Sequence, residues 1–139
     1  FRYHLTNVNA SIGLSQLARV EEFIASRQRS CRLYSELLDG VPGISVPSTD
    51  FTGISPFIYT VRVGGGRRQS MIDHLRRNGI ATGIHFLPAH RYSFYSGCPR
   101  GDMEVTERVS SEIVTLPLHS GMRTETVAGI CDAIKGFFS

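Results

Sequence analysis

The stretch from Thr6 to Leu38 constrains the fold most, because it has the pattern of one long amphipathic helix. It contains no proline, and its only glycine is Gly13. Thr6 or Asn7 is a suitable N-cap, and Gly40 followed by Pro42 ends the pattern. The apolar residues recur at helical spacing and are Val8, Ile12, Leu17, Val20, Ile24, Cys31, Tyr34, Leu37 and Leu38.

This predicted helix is longer than the domain that follows it. It would measure roughly 50 Å at about 1.5 Å per residue. A compact domain of this size has a diameter of about 37 Å. The first turns also carry the small residues Ala10, Ser11, Gly13 and Ser15, which let another backbone approach closely. We therefore expect the N-terminal half of the helix to pack on a missing domain or on a second chain.

Composition indicates one globular domain with an ordinary core. The 139 residues carry a formal charge of +3, and no basic run is interleaved with aromatic residues, so nucleic acid is not an expected partner. No apolar run reaches the length of about 20 residues that a membrane span needs. Three widely spaced cysteines indicate reduced thiols and a cytoplasmic location. The chain begins at Phe1 without a methionine, as expected of a fragment or a processed product.

The remaining sequence predicts strands alternating with helices, and hence a small two-layer α/β sandwich with a three-stranded sheet. A loop with at most one short strand, Ile44–Val46, precedes them. An aromatic-rich loop, Ala89–Gly101, separates the second strand from the helix after it. The predicted strands are Phe57–Val63, Ile80–Leu87 and Ile113–Leu116, and the predicted helices are Arg67–Asn78, Asp102–Ser111 and Thr124–Phe138.

The segment Gly64–Arg68 is a candidate phosphate site, because it has three glycines between a strand and a helix. It lacks the G-K-[ST] of a P-loop, and a plain turn explains the glycines equally well. An alternative function is a stand-alone α/β phosphate-binding or protein-interaction module, in which this segment would bind the phosphate.

Histidines form the second candidate group. His85 and His90 flank Pro88 after a predicted strand, and His119 follows another. Such positions suit ligand binding, although a structural or surface role remains open for each. Their spacing does not suit a metal, so no metal site is predicted. Lys135, the only lysine, lies near the C-terminus on the last helix and is expected to be solvated rather than to form a Schiff base.

Three segments together resemble one enzyme family. The first runs from Phe1 to Leu17 and reads F-R-Y-H-L-T-N-V-N-A-S-I-G-L-S-Q-L. The second contains Gly79-Ile80 and then Gly83-Ile84-His85-Phe86 with Pro88 and His90, and the third is Leu116-Pro117-Leu118-His119. Their order and spacing resemble the DegT/DnrJ/EryC1/StrS family of sugar aminotransferases over essentially the whole chain.

The resemblance implies the small C-terminal domain of a fold-type I enzyme that uses pyridoxal phosphate. Such enzymes transfer an amino group, usually from glutamate, to a keto group of a nucleotide-linked sugar in deoxyaminosugar or polysaccharide biosynthesis. It implies that residues 1–40 form a long interdomain helix, that residues 41–139 form the α/β sandwich, and that the large domain with the cofactor lysine is absent. A homodimer is also implied, and the isolated chain is expected to be inactive.

Site residues follow from the same resemblance. The segment of Arg2, Tyr3 and His4 matches one that reaches the cofactor phosphate of the neighbouring subunit, although Arg2 and His4 depart from the family's usual Asn and Arg. His85 matches a histidine near the substrate sugar or the glutamate carboxylate, and His90 is a further substrate-binding candidate. No catalytic residue is assigned to this chain. The sugar, the nucleotide and the ring position stay open.

Overall fold

The computed structural model describes residues 4–139 and confirms an α/β fold with a three-stranded sheet. The loop of residues 78–103 holds two single 3₁₀ turns, Ala89–Arg91 and Ser93–Tyr95. The elements in chain order are α1 (Asn7–Leu17), α2 (Val20–Leu38), β1 (Ile44–Ser45), β2 (Tyr59–Val63), α3 (Arg68–Arg77), α4 (Glu104–Glu112), β3 (Ile113–Leu116) and α5 (Thr124–Phe138).

The sheet has the order β1-β2-β3, and both pairings are antiparallel. In the register of β2 with β3, Tyr59 faces Leu116 and Val61 faces Val114. Side chains alternate between the faces of a strand, so these four share one face. Their neighbours share the opposite face, here called the reverse face, and are Thr60, Arg62, Ile113 and Thr115.

The hydrophobic core lies between the first face of the sheet and helices α2, α3 and α5. Tyr34 of α2 stacks on Tyr59 of β2, with ring centroids 4.9 Å apart. Both phenols are buried and satisfied, because the Tyr34 hydroxyl donates to Pro117 O at 3.0 Å and the Tyr59 hydroxyl lies 2.9 Å from Ser35 Oγ. Burial raises the pKa of Tyr59 to about 12 and also raises that of Tyr34, so both phenols stay neutral.

The single long helix predicted over Thr6–Leu38 is wrong, because the structure divides it into α1 and α2 at Ala18–Arg19. The Arg19 amide donates to Gln16 O in a 3₁₀-type bond, and Arg19 has φ −113° and ψ 8°. The Arg19 guanidinium contacts Glu22 at 3.2 Å, and carboxylates in the first turn of α2 stabilise a helix start there. The break thus occurs at a 3₁₀-type bond, without a glycine or proline.

The strand predicted over Ile80–Leu87 is also wrong. Only Gly83 pairs with the sheet, through an isolated antiparallel bridge to Thr115. The two backbone bonds of that bridge measure 3.0 and 2.8 Å. The predicted strand at Ile44–Val46 is present as β1, so the sheet keeps three strands with a different membership. The predicted strand Ile113–Leu116 and helix Thr124–Phe138 are confirmed.

Helix α1 buries none of its residues. Thr6 caps it by accepting from Asn9 N–H at 3.2 Å, so the helix start is the one that the sequence predicts. Four of its large apolar side chains are at least 58% exposed, and they are Val8, Ile12, Leu14 and Leu17. An isolated helix of this length is marginal in water, and most helical stability comes from packing. The exposure agrees with the expectation that α1 packs on something other than this domain, which stays a prediction.

The C-terminus is held against the turn between β2 and α3 by an aromatic clamp. The Arg67 guanidinium carbon lies 4.6 Å from the ring centroids of both Phe137 and Phe138. Arg67 also donates to Phe137 O at 3.1 Å. Gly43 leaves room for the clamp, because a Cβ there would lie 2.6 Å from Phe138 Cε1.

Replacing Gly43 with alanine is expected to lower the free energy of unfolding, as measured by urea denaturation. Gly43 has φ +84°, so alanine introduces backbone strain, and the added methyl group also displaces the Phe138 ring from Arg67. Gly40→Ala is the matched control, because Gly40 has φ +71° with no atom within 4 Å of its Cβ position. We expect Gly43→Ala to cost about 1 kcal/mol more than the control, from overpacking and a lost cation–π contact. Equal losses in the two variants would show that the clamp contributes nothing.

Candidate functional site

The candidate site lies on the reverse face of the sheet, where His85 meets β3. The bridge between Gly83 and Thr115 brings the chain after α3 across this face. Two residues further on, His85 Nδ1 lies 3.0 Å from Thr115 Oγ1. Thr115 Oγ1 in turn lies 3.4 Å from Thr60 Oγ1 on the neighbouring strand. The ring is thus attached to the sheet through Nδ1, while the residue itself is exposed.

His90 occupies a different environment, within a charged cluster that joins the 3₁₀ turn to α4. Its Nε2 lies 2.5 Å from Glu107 Oε1, and its side chain is only 14% exposed. Arg91 contacts the same carboxylate through Nε, at 3.2 Å, and through its terminal nitrogen. Arg100 donates to the carbonyl of His90 at 3.4 Å. Because Glu107 occupies Nε2, His90 is placed to hold the turn, and its predicted substrate contact stays untested.

The Glu107 carboxyl has a strongly lowered pKa. Hydrogen bonds from Arg91 and then from His90 lower its pKa to about 2. The carboxylate is therefore ionised throughout the neutral range and gives the turn a permanent negative partner. A charge-assisted pair of this kind orders the turn and the start of α4 relative to each other.

Two cavities flank the site. One of about 310 Å³ lies between the chain after His85 and α4, and it is apolar. Phe86, Val105, Val109 and Ile113 line it. The other, of about 360 Å³, lies beside the charged cluster. His90, Tyr95, Arg100 and Met103 are among its walls. Neither is closed, and both adjoin the exposed aromatic loop.

The segment from Phe86 to Val105, which includes that loop, exposes several large apolar side chains close together in sequence. Phe86 is 67% exposed and Phe94 is 86% exposed. Leu87, Tyr92, Tyr95 and Val105 are also exposed. Phe86 and Val105 line one cavity, and Phe94 packs edge-on against Tyr95. Clustered exposed apolar side chains mark interaction sites more often than isolated ones do. The reverse face is therefore bordered by surface that another part of a protein, or a ligand, can cover.

Other predicted site residues lie elsewhere or outside the described part. Arg2 and Tyr3 fall outside residues 4–139, and His4 is exposed just before α1. The candidate phosphate segment Gly64–Arg68 has its arginines engaged with the protein. Arg67 forms the aromatic clamp, and Arg68 donates to Ser110 O at 2.5 Å.

Among the described residues, the lysine and the two buried cysteines have surroundings that do not favour reactivity. Lys135 lies on α5 beside the end of α2, in a groove with Asp39 and Phe138. Burial raises the pKa of both Cys31 and Cys131 to about 11, which keeps the thiols protonated. Within residues 4–139, no three His, Cys, Asp or Glu side chains gather as metal ligands do. No helix of that range combines the length and apolarity of a membrane span.

Comparison with known proteins identifies the family to which the chain belongs. The sequence model of the DegT/DnrJ/EryC1/StrS aminotransferase family matches residues 1–135. The chain belongs to this family, which confirms the resemblance of its three motifs.

Individual relatives agree with this membership. GDP-perosamine synthase of Caulobacter vibrioides is 32% identical over 96% of this chain and 38% of its own length. Protein MJ1066 of Methanocaldococcus jannaschii is 26% identical over 100% of this chain and 38% of its own. The crystal structure of the aminotransferase TlmJ from Streptoalloteichus hindustanus is 30% identical, with a TM-score of 0.84 over 93% of this chain and 35% of its own. The chain thus spans about 38% of the length of the curated relatives it matches.

Sequence reasoning found His85 but missed its partners. Thr115 lies between the core residues Val114 and Leu116, and a polar residue within a short buried strand was the available signal. Thr60 lies directly across the register from it. Glu107 lies in an ordinary amphipathic helix, and no sequence pattern links it to His90.

Replacing Glu107 with glutamine is expected to remove one component of the acid sensitivity of the fold. A carboxyl whose pKa is lowered from 4.5 to about 2 stabilises the folded state above pH 4.5, and this contribution is lost as the pH falls towards 2. The free energy of unfolding of the unmodified protein should therefore fall more steeply over that window than that of Glu107→Gln. Urea denaturation at a series of pH values measures the difference.

Glu104→Gln is the control, because Glu104 lies exposed one turn earlier on α4. It should keep the pH dependence of the unmodified protein. Parallel curves for the unmodified protein and Glu107→Gln would show that the cluster is not formed in solution.

Proposed function

We propose that this chain is the C-terminal domain of a pyridoxal-phosphate-dependent aminotransferase that acts on a nucleotide-linked sugar, with glutamate as amino donor. The family match over residues 1–135 carries the proposal. The name of the relative in Caulobacter vibrioides, GDP-perosamine synthase, supports a nucleotide-linked sugar as the substrate class. The location is proposed to be cytoplasmic.

The complete protein is proposed to contain a preceding large domain. The span of about 38% of the relatives' length supports this, and so does the bare apolar surface of α1. Residues 1–40 would join the two domains, with α1 packing on the large domain or on the second subunit of a homodimer. Covering the four exposed apolar side chains of α1 would remove a surface that is unfavourable in water.

The described residues do not fit covalent attachment of the cofactor. Lys135 is the only lysine, and it lies in the groove between the ends of α2 and α5, on a different element from His85. We therefore place the attachment lysine in the large domain. When bound there, pyridoxal phosphate supplies the electron sink for transfer of an amino group. Arg2, Tyr3 and His4 of this chain would contact the cofactor phosphate of the neighbouring subunit.

His85 is proposed to bind an anionic oxygen of the substrate. Its Nδ1 is engaged by Thr115, so Nε2 is the ring nitrogen that can reach a phosphate oxygen of the sugar nucleotide or the carboxylate of glutamate. His90 would support the same region by holding the turn through Glu107. The exposed aromatic side chains beside it would contact the sugar or the base.

In the complete enzyme, His85→Ala is expected to lower kcat/KM for transamination of a nucleotide-linked keto sugar. Loss of a hydrogen bond to a charged group corresponds to a decrease of roughly 10- to 100-fold. His119→Ala is the matched control, because His119 is exposed and accepts from Gly121 N–H within its own turn, at 3.2 Å. Unchanged kcat/KM in His85→Ala would remove His85 from the substrate site.

The 139-residue chain alone is expected to hold no cofactor covalently. Titration with pyridoxal phosphate should give no stoichiometric, saturable absorbance band, and borohydride reduction followed by mass spectrometry should leave Lys135 largely unmodified. Lys135→Arg identifies any adventitious reaction at that side chain. A one-to-one adduct that disappears in Lys135→Arg would contradict the placement of the attachment lysine in another domain.

A further inference from the structure

We propose that Thr115 is a positioning residue that fixes the ring of His85, so that Nε2 is the nitrogen presented to a ligand. Only the identity of that ligand rests on the proposed function. The arrangement of Thr60, Thr115, Gly83 and His85 is a property of this chain alone, and it can be tested without cofactor or substrate.

Thr115 is a rigid point of attachment. It lies within β3 and is only 6% exposed. Its backbone is held on both sides, because it pairs with Thr60 of β2 in the sheet register and with Gly83 at the bridge. A β-branched side chain has few rotamers in a strand, so the hydroxyl has a fixed direction on the reverse face.

That hydroxyl connects the ring to the sheet. It lies 3.0 Å from His85 Nδ1 and 3.4 Å from Thr60 Oγ1. A hydroxyl has one donor hydrogen and two acceptor lone pairs, so it can serve both neighbours at once. The hydrogen bond that one ring nitrogen makes decides the state of the other nitrogen. Thr115 therefore sets the direction of the His85 ring, and the role that its hydroxyl takes, donor or acceptor, decides which tautomer faces outward.

Gly83 provides the space that this ring position requires. A Cβ at Gly83 would lie 2.6 Å from His85 Cε1 and 3.1 Å from Nδ1, so any side chain there would push the ring away from Thr115. The φ of Gly83 is not in the left-handed region, so other residues can adopt it. The glycine is thus needed for the neighbouring ring rather than for the backbone.

Thr60, Thr115 and Gly83 thus join the chain to the sheet and orient the ring of His85. Since an exposed histidine otherwise samples several rotamers and both tautomers, holding it before a ligand arrives removes part of the ordering cost of binding. This explains why an exposed side chain is tied to a buried hydroxyl.

The test is the ¹⁵N spectrum of the His85 ring in the ligand-free 139-residue protein. In the unmodified protein we expect the Nδ1 and Nε2 shifts of a single dominant tautomer. Thr115→Val keeps the shape and removes the hydroxyl, and it should bring both shifts towards the averaged values of a free imidazole. Thr115→Ser should restore the original shifts, which a role in packing alone would not predict.

Gly83→Ala is the second variant, and it leaves the hydroxyl in place. It should move the His85 shifts in the same direction as Thr115→Val, by displacing the ring. The controls are Thr126→Val, at an exposed threonine of α5, and Gly97→Ala, which has no atom within 4 Å of its Cβ position. Both should leave the His85 shifts unchanged. If Thr115→Val does not fold, Thr115→Ala, which also lacks the hydroxyl, takes its place in the same comparison with Thr115→Ser.

Unchanged His85 shifts in a folded Thr115→Val overturn the proposal, even if Gly83→Ala moves them, because the ring would then be held by shape alone. A separate titration of the complete protein with a nucleoside diphosphate tests the proposed function. If that ligand leaves His85 unperturbed while Thr115→Val alters the tautomer, the proposed substrate contact fails and the positioning role stands.

Discussion

The antiparallel pairing of β2 with β3 is the constraint on which the rest of the structure depends. Its register places Tyr59, Val61, Val114 and Leu116 on the core side. A shift by one residue would turn these apolar side chains outward and carry the reverse-face threonines into the core. The same register therefore sets both the packing against α2 and α5 and the position of the hydroxyl that meets His85. Stability and site geometry are two results of one set of strand hydrogen bonds.

Much of the fold could be predicted from periodicity and turn residues. α5 and β3 begin and end where the pattern indicates, and Asp102 accepts from Glu104 N–H at 2.9 Å one residue before the N-cap position of α4. The two errors have physical causes. Apolar residues in 80–87 match a strand, but only Gly83 finds a partner in the sheet. The break at Ala18–Arg19 is marked by a 3₁₀-type bond and by no glycine or proline, so hydrophobic periodicity does not register it.

The candidate site was predictable only where it coincides with a motif. His85 stands in a segment resembling the family, so its residue type and surroundings identified it. Thr115 and Gly83 depend on a bridge between segments more than thirty positions apart along the chain, and no local pattern reports such a pairing. The same is true of Glu107, whose carboxylate contacts His90 Nε2 and secures the turn.

The break between α1 and α2 makes the molecule modular. α1 buries none of its residues, and it meets α2 only through Ala18–Arg19. Mutations on α1 can therefore follow the shape of a neighbouring surface without disturbing how Tyr34 stacks on Tyr59. The core and α1 are therefore free to change independently, because substitutions on the exposed helix do not reach the packed interior.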